Sequence, residues 1–182
     1  MAANVNKDQI GLLKKTIGEL GIDSSYIQKN INTMQKDVGE HALVTVFENV
    51  YAKPAQCTLE AKNAWELMHG AAQMEGIQLK IVSSYRSIEY QAELIKRKLA
   101  CGQNLDEILK INAVPGWSEH HTGRALDLTS AEEDKVLEEK FEETMAFEWL
   151  TGNAGKYGFV MSYPKNNIQG YIYEPWHWCF HK

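Results

Sequence analysis

Residues 118–127 read Ser-Glu-His-His-Thr-Gly-Arg-Ala-Leu-Asp and place a histidine, His120, seven positions before a carboxylate, Asp127. Between them Gly123 allows a tight turn, because glycine tolerates a positive φ. The alternation over residues 125–128 is typical of a short strand and puts Asp127 on the face opposite the two flanking leucines. A loop and a strand joined in this way can offer one nitrogen and one oxygen ligand to the same metal ion.

A second motif near the C-terminus, Glu-Pro-Trp-His-Trp at residues 174–178, can complete such a site. Catalytic zinc usually takes three protein ligands and leaves a fourth position to water, and His177 is the natural third ligand. Glu174, three residues earlier, suits a base that takes a proton from that water and passes it to the leaving amine. His121 adjoins His120 and stays an alternative ligand, although the register of the motif favours His120.

An arginine stands at the junction of a predicted strand and a predicted helix. Residues 79–84 favour a strand, and the helix begins around Ser87 and runs to about Ala100. Arg86 lies between them, and its planar fork of donors suits a carboxylate or a developing oxyanion, although a surface ion pair explains its position equally well. Gln91 follows about one and a half helical turns later and by itself is typical of a solvated helix residue.

The flanking segments are read from their periodicity. Apolar spacing predicts a helix over residues 8–20 and a second helix from Ser24 or Ser25, which we interpret as an addition packed on the core rather than a partner-binding hairpin. Residues 42–52 are ambiguous between helix and strand. Residues 159–162 favour a strand, and Tyr171-Ile172-Tyr173 favours a strand that returns beside it.

Length and composition limit the classes of protein that fit. A chain of 182 residues with 44% hydrophobic content can bury the core of one domain. A net charge of −5, from 19 basic and 24 acidic residues, argues against nucleic acid or an anionic membrane as a partner. The three widely spaced cysteines indicate reduced thiols rather than a disulfide framework.

The first residues, Met-Ala-Ala-Asn-Val-Asn-Lys-Asp-Gln, lack the apolar run of a signal peptide, and no segment approaches the ~18 apolar residues of a membrane span. We therefore expect a cytoplasmic location for the chain as it stands. The expected location is the periplasm or the cell wall if a leader has been removed.

The motifs, taken in order, resemble the zinc D-alanyl-D-alanine carboxypeptidase family (the VanY-like group of LAS metallopeptidases, related to D-Ala-D-Ala dipeptidases and to L,D-carboxypeptidases of peptidoglycan). The matching stretches are 83–87 with Gln91, 118–127 and 174–178, and the similarity covers roughly residues 58–180. By this resemblance one zinc ion is bound, and the family's metal ligands and catalytic base fall on the histidines, the aspartate and the glutamate singled out above.

The ligands implied by the resemblance are His120, Asp127 and His177, and the implied base is Glu174. Arg86 would act in catalysis and substrate binding by contacting the scissile carbonyl or the terminal carboxylate.

Gln91 and Ser118 would assist substrate binding. The resemblance also implies an α+β fold, a small antiparallel β-sheet flanked by helices as in the D-Ala-D-Ala peptidase or hedgehog-like fold. We expect one domain over residues 1–182, with a mainly helical N-terminal extension in residues 1–57 and the catalytic core in residues 58–182.

These expectations combine into a zinc-dependent carboxypeptidase that removes the terminal D-alanine from peptidoglycan stem peptides, with D,D- or L,D-specificity. Its partners would be stem peptides or muropeptide fragments, and the protein would be a monomer. The competing interpretations are a peptidoglycan endopeptidase, a non-catalytic zinc-containing peptide-binding module, and an interaction protein with a vestigial site. A complete base and ligand set argues against the last two, because binding alone does not require Glu174.

Overall fold

The structure, a computed structural model, describes residues 7–181. Residues 1–6 and Lys182 lie outside it. The first six residues belong to the expected N-terminal extension and to the segment that lacks the apolar run of a signal peptide. The fold is α+β with small antiparallel sheets, which confirms the predicted class. No helix within the described residues is both long and apolar enough to cross a membrane.

Helices and strands alternate along the chain. The helices are α1 (Lys7–Glu19), α2 (Ser25–Asn30), α3 (Leu59–Met74), α4 (Ile88–Ala100), α5 (Leu105–Ile111) and α6 (Met145–Asn153). The strands are β1 (Leu43–Glu48), β2 (Pro54–Thr58), β3 (Leu79–Ser83), β4 (Ala125–Ser130), β5 (Phe159–Met161) and β6 (His177–Phe180).

Backbone contacts divide the chain into two compact units, and the single-domain organisation stays a prediction. The first unit joins the described residues up to Gly39 to residues 86–122, and so contains α1, α2, α4 and α5. The N-terminal helices bury their apolar faces in this unit's own core, which supports the interpretation of packed helices. One cluster of that core consists of Leu13, Ile17, Ile27, Met34, Ile88, Val114 and Trp117.

The second unit contains residues 40–85 and the chain from Gly123 onward. Here β1 and β2 form a two-stranded antiparallel pair, and a four-stranded antiparallel sheet has the order β3-β4-β6-β5. Side chains of this sheet pack with α3 and α6 in one apolar core, in which Trp65 and Phe141 are among the largest fully buried residues. Every residue of β4 is buried, as expected for a strand with a neighbour on each side.

The extension predicted to be mainly helical over residues 1–57 is helical only in part. Leu43–Glu48 and Pro54–Thr58 form the β1–β2 pair, so most of the ambiguous stretch 42–52 is strand, and the boundary between extension and core stays a prediction. The β-branched run Val44-Thr45-Val46 favours a strand, and Pro54, the first residue of β2, is tolerated at the start of a strand in a two-stranded sheet because each strand there is an edge.

The predicted strand over Tyr171-Ile172-Tyr173 is wrong, because these residues have no regular structure and β6 begins only at His177. Side-chain hydrogen bonds replace the ladder there. The Asn167 side chain accepts a hydrogen bond from the Tyr171 N–H at 3.2 Å and donates one to the Tyr171 carbonyl at 2.8 Å. An asparagine that satisfies backbone groups locally favours a turn over a strand.

Candidate metal centre

Asp127 and His177 lie directly opposite each other in the antiparallel pairing of β4 and β6. Directly paired residues project from the same face of a sheet, so their side chains meet. His177 Nδ1 is 3.0 Å from Asp127 Oδ1, and the two residues are only 2% and 4% exposed. Two ligands that each lie about 2.0–2.2 Å from a tetrahedral ion are separated by roughly 3.3 Å, so this spacing suits a shared ion as well as a hydrogen bond.

His120 lies in a 3-10 turn, Glu119–Thr122, and is 1% exposed. His120, Asp127 and His177 each offer one ligand atom, and these atoms lie within 4.8 Å of one another. Two imidazole nitrogens and one carboxylate oxygen match the three-ligand sets that proteins use for catalytic zinc. The donor set therefore fits the ion expected from the sequence. Gly123, just after the turn, has the positive φ of 64° that the motif predicted.

The alternative ligand, His121, uses both of its ring nitrogens inside the protein. Its Nε2 accepts a hydrogen bond from the Gly116 N–H at 3.0 Å, so its Nδ1 carries the proton and donates to the Arg86 carbonyl at 2.6 Å. Burial lowers the pKa of His121, which favours this neutral form. His121 is thus a structural imidazole, and the ligand role predicted for His120 has no competitor in its neighbour.

Glu174 lies next to the Asp127–His177 pair and is 8% exposed. Its Oε2 is 3.9 Å from His177 Nδ1, and its carbonyl accepts the His177 N–H at 3.1 Å across a tight turn. Pro175 inside that turn fixes one backbone angle, and its carbonyl accepts the Trp178 indole N–H at 2.9 Å. The carboxylate predicted to be the base is therefore held on a short, braced turn beside the ligand pair.

Tyr163 was not singled out from the sequence, yet it supports both of these residues. Its ring centroid lies 4.8 Å from that of His177, and its carbonyl accepts the Glu174 N–H at 3.0 Å. Tyr171 packs edge-on against Tyr163, with ring centroids 5.1 Å apart. Nothing in the local sequence reveals these contacts. Tyr163 follows the short strand β5 and is distant in sequence from Glu174 and His177, so only the fold brings them together.

Gln91 is a buried hydrogen-bonding residue, which its position on a helix did not indicate. Gln91 is 1% exposed; its Oε1 accepts a hydrogen bond from Arg86 Nη1 at 3.0 Å, and its Nε2 donates to the Ala113 carbonyl at 2.9 Å. It therefore orients the Arg86 guanidinium. Ser118 is buried and accepts the His121 N–H through its carbonyl at 3.1 Å. The substrate contacts expected of Arg86, Gln91 and Ser118 stay predictions.

The sequence profile of the VanY family, described as D-alanyl-D-alanine carboxypeptidase, matches residues 55–182. The chain belongs to the VanY family. This confirms the family predicted from the motifs. The profile begins close to the start of β2, so most of the first 57 residues lie outside it.

Individual relatives agree with this assignment. YodJ of Bacillus subtilis (strain 168), provisionally named a carboxypeptidase, is 40% identical over 120 residues, which are 65% of this chain and 44% of YodJ. The chain thus spans less than half the length of that relative.

Two solved structures show a similar fold. The LdcB LD-carboxypeptidase is 35% identical, with a TM-score of 0.69 over 76% of this chain and 67% of LdcB. The vancomycin resistance D,D-pentapeptidase VanY from a VanB-type cassette is 26% identical, with a TM-score of 0.62 over 80% of each chain. The latter was solved as a glutamate-to-alanine mutant in complex with Zn(II).

Proposed function

We propose that the protein is a zinc-dependent carboxypeptidase that hydrolyses the bond to the terminal D-alanine of a peptidoglycan stem peptide. The observation that carries this proposal is the buried donor set of His120, Asp127 and His177 with the Glu174 carboxylate 3.9 Å from the His177 ring. The Zn(II) bound by the VanY neighbour and the specificities in the names of the neighbours support the ion and the substrate class.

When bound, zinc supplies a Lewis acid that polarises a carbonyl and lowers the pKa of water to about 7. The neutral imidazoles of His120 and His177 and the carboxylate of Asp127 would hold it. Asp127 and His177 are fixed as a pair by the β4–β6 ladder. Rigid strands keep ligand geometry more accurately than mobile loops do, which favours a preorganised site.

Glu174 is the proposed proton carrier. Its carboxylate takes a proton from the attacking water and delivers it to the nitrogen of the departing D-alanine, so that one group acts first as base and then as acid. The braced turn that fixes Glu174 restricts where the proton is received and released. Such positioning is required because proton transfer needs the two heavy atoms within hydrogen-bond reach.

Arg86 is the proposed anion anchor. Its guanidinium presents paired donors that suit the terminal carboxylate of the peptide or the oxyanion that develops on the scissile carbonyl. Gln91 fixes the direction of that fork through its hydrogen bond to Nη1. Ser118 is proposed to assist in holding the peptide.

The deciding experiment incubates the protein with defined stem tri-, tetra- and pentapeptides, with and without a chelator, and identifies products by mass spectrometry. We expect loss of one alanine that the chelator abolishes and added zinc restores. Shortening of the pentapeptide identifies D,D-specificity, and shortening of the tetrapeptide identifies L,D-specificity. His120→Ala should lose zinc and activity, whereas the matched control His41→Ala, at an exposed histidine, should keep both.

The same assay separates the competing functions. Cleavage of cross-linked muropeptides without release of a terminal alanine would replace the carboxypeptidase with an endopeptidase. Zinc-loaded protein that binds a stem peptide in calorimetry but shortens none of the three would identify a binding module. Either result would overturn the proposed reaction.

A further inference from the structure

We propose that residues 26–39, which we call the N-terminal strap, position the loop that carries His120, and that Asp37 is the principal positioning residue. The strap lies outside the matched family profile, which begins at residue 55. The loop, residues 114–122, is called the ligand loop, and both segments belong to the first unit. The inference rests on the proposed function only in taking His120 as a zinc ligand.

Backbone N–H groups of the strap form hydrogen bonds near both ends of the ligand loop. The Gln35 N–H donates to the Gly116 carbonyl at 2.8 Å, and the Val38 N–H donates to the His121 carbonyl at 3.1 Å. Between these points the Trp117 indole N–H reaches back to the Asn30 carbonyl at 2.9 Å. His120 therefore lies on a loop whose neighbouring carbonyls are already occupied by strap donors, which limits the conformations that the loop can adopt.

Helix α1 packs against the same loop closely enough to restrict its sequence. Gly116 has a φ of 97°, and a Cβ atom there would lie 2.6 Å from the Cδ2 atom of Leu13. Real Cβ atoms do not approach that closely, so a larger residue would displace the Leu13 side chain, and the positive φ by itself favours glycine at this position. Tyr26 adds an edge-on contact to Trp117, with ring centroids 4.9 Å apart. The N-terminal helices are thus part of the support of the loop rather than an independent addition.

Asp37 links this support to the start of α4. One carboxylate oxygen accepts the Gly39 N–H at 2.9 Å, and the other accepts the N–H of Ile88, the first residue of α4, at 3.3 Å. A carboxylate at this position satisfies a helix donor that has no partner within the helix and interacts favourably with the positive end of the helix dipole. The link joins residues 51 positions apart in the sequence.

The start of α4 is in turn bonded to the ligand loop. Arg86, two residues before Ile88, donates its N–H to the His120 carbonyl at 3.3 Å and accepts the His121 ring N–H through its own carbonyl. Asp37 therefore acts on His120 through the backbone of Arg86. Loss of this support should loosen both a metal ligand and the proposed anion anchor while leaving the apolar core intact.

The test measures zinc affinity by competition with a chromophoric chelator, together with hydrogen exchange of residues 114–122. We expect Asp37→Ala to raise the zinc Kd by about 10- to 100-fold, the range found when groups that orient a ligand are removed. Exchange of the ligand loop should accelerate in the same variant. Asp37→Asn retains one acceptor oxygen and should give an intermediate Kd.

The matched control is Asp23→Ala in the same unit, because the Asp23 carboxylate also accepts a backbone N–H, from Ser25 at 2.7 Å. Its zinc Kd and loop exchange should equal those of the wild type. A wild-type Kd in folded Asp37→Ala, or an equal loss in Asp23→Ala, overturns the inference. If Asp37→Ala does not fold, an unchanged Kd in Asp37→Asn has the same meaning.

Failure of the inference can be told from failure of the proposed function. Wild-type protein that binds zinc but shortens no peptide refutes the function, and the affinity series still tests the strap. If the wild type binds no zinc, the ligand role of His120 fails, and hydrogen exchange alone decides whether Asp37 holds the loop.

Discussion

The ring of Tyr163 packs against the imidazole of His177, with 4.8 Å between the ring centroids and 38° between the ring planes. The backbone carbonyl of the same tyrosine accepts the N–H of Glu174. One residue thus supports a proposed zinc ligand through its side chain and the proposed base through its main chain. A substitution of Tyr163 changes the ring contact with His177 and keeps the backbone hydrogen bond to Glu174, so it tests the first contact by itself.

Tyr163→Leu should weaken zinc binding by about 10- to 100-fold. Without the tyrosine ring the His177 imidazole is less restricted, so it loses more conformational freedom when it binds the ion. Tyr163→Phe keeps the ring and should restore most of the affinity. Zinc titration of both variants checks this. Tyr157→Leu, whose ring stacks on Trp149 instead, is the control. Equal affinities in the Leu and Phe variants would assign the effect to something other than the ring.

Glu174→Gln should keep stoichiometric zinc while its turnover falls by about 10²- to 10⁴-fold, the range for removal of a general acid–base group. The reason is that the amide keeps the shape of the side chain but cannot take up the proton. Metal analysis and steady-state kinetics on the peptide that the wild type shortens give the two readings. Near-normal turnover would remove Glu174 from the mechanism.

The motifs determined much of the candidate site before the fold was known. The alternation around Asp127 predicted its strand and its face, and the glycine between His120 and Asp127 has the backbone angle that the turn required. Both follow from local sterics, since side-chain direction along a strand and the freedom of glycine do not depend on distant residues. The family resemblance then supplied the roles of the residues.

The sequence could not reveal the partners. A period of two gives the face of a strand but not which residue lies opposite, so the Asp127–His177 pair depends on a register between segments 50 positions apart. The same limit concealed Tyr163 and the bonds from Asp37 to the start of α4. The false strand at Tyr171 has a related cause, because alternating apolar residues also occur in a loop whose backbone is bonded by a side chain.

The three cysteines should differ in thiol reactivity, with the exposed thiol reacting faster than the buried ones. Cys57 and Cys179 are buried and Cys101 is exposed, and burial raises the pKa of the Cys57 thiol to about 12. Because the thiolate is the reactive form, a maleimide at pH 7.5 should label Cys101 alone in the folded protein and all three cysteines after unfolding. Peptide mapping by mass spectrometry reads the sites. Rapid labelling of Cys57 in the native state would contradict its burial.

The raised pKa of Cys57 also predicts the direction of a pH effect. The unfolded thiol ionises near pH 8.5, whereas the folded thiol stays neutral well above that value. The contribution of Cys57 to stability is therefore complete below about pH 8.5 and decreases as the pH rises further, because only the unfolded state then loses the proton. Cys57→Ala should show a smaller loss of stability than the wild type between neutral and alkaline pH in denaturant titrations.

Tyr173, the residue before Glu174, is tied to the chain at Glu142. Burial, followed by the interaction of its hydroxyl with the Glu142 carboxylate, raises the pKa of Tyr173. Lys165 completes the cluster, with its ammonium 2.7 Å from a Glu142 oxygen and 4.8 Å from the centroid of the Tyr173 ring. The cluster fixes the chain on the N-terminal side of the proposed base, opposite to the side that Pro175 restrains.

Tyr173→Phe should therefore lower kcat with little change in KM or in zinc content, because it removes the hydroxyl and leaves the ring beneath Lys165. The loss should stay within the ~100-fold that a misplacement on the order of 1 Å can cause. Glu142→Gln should lower kcat in the same direction, since it weakens the acceptor for both partners. Tyr90→Phe, at a half-exposed tyrosine on α4, is the control for removal of a phenol hydroxyl. A matching loss in Tyr90→Phe, or an unchanged kcat in Tyr173→Phe, would mean that the turn holds Glu174 in place without the cluster.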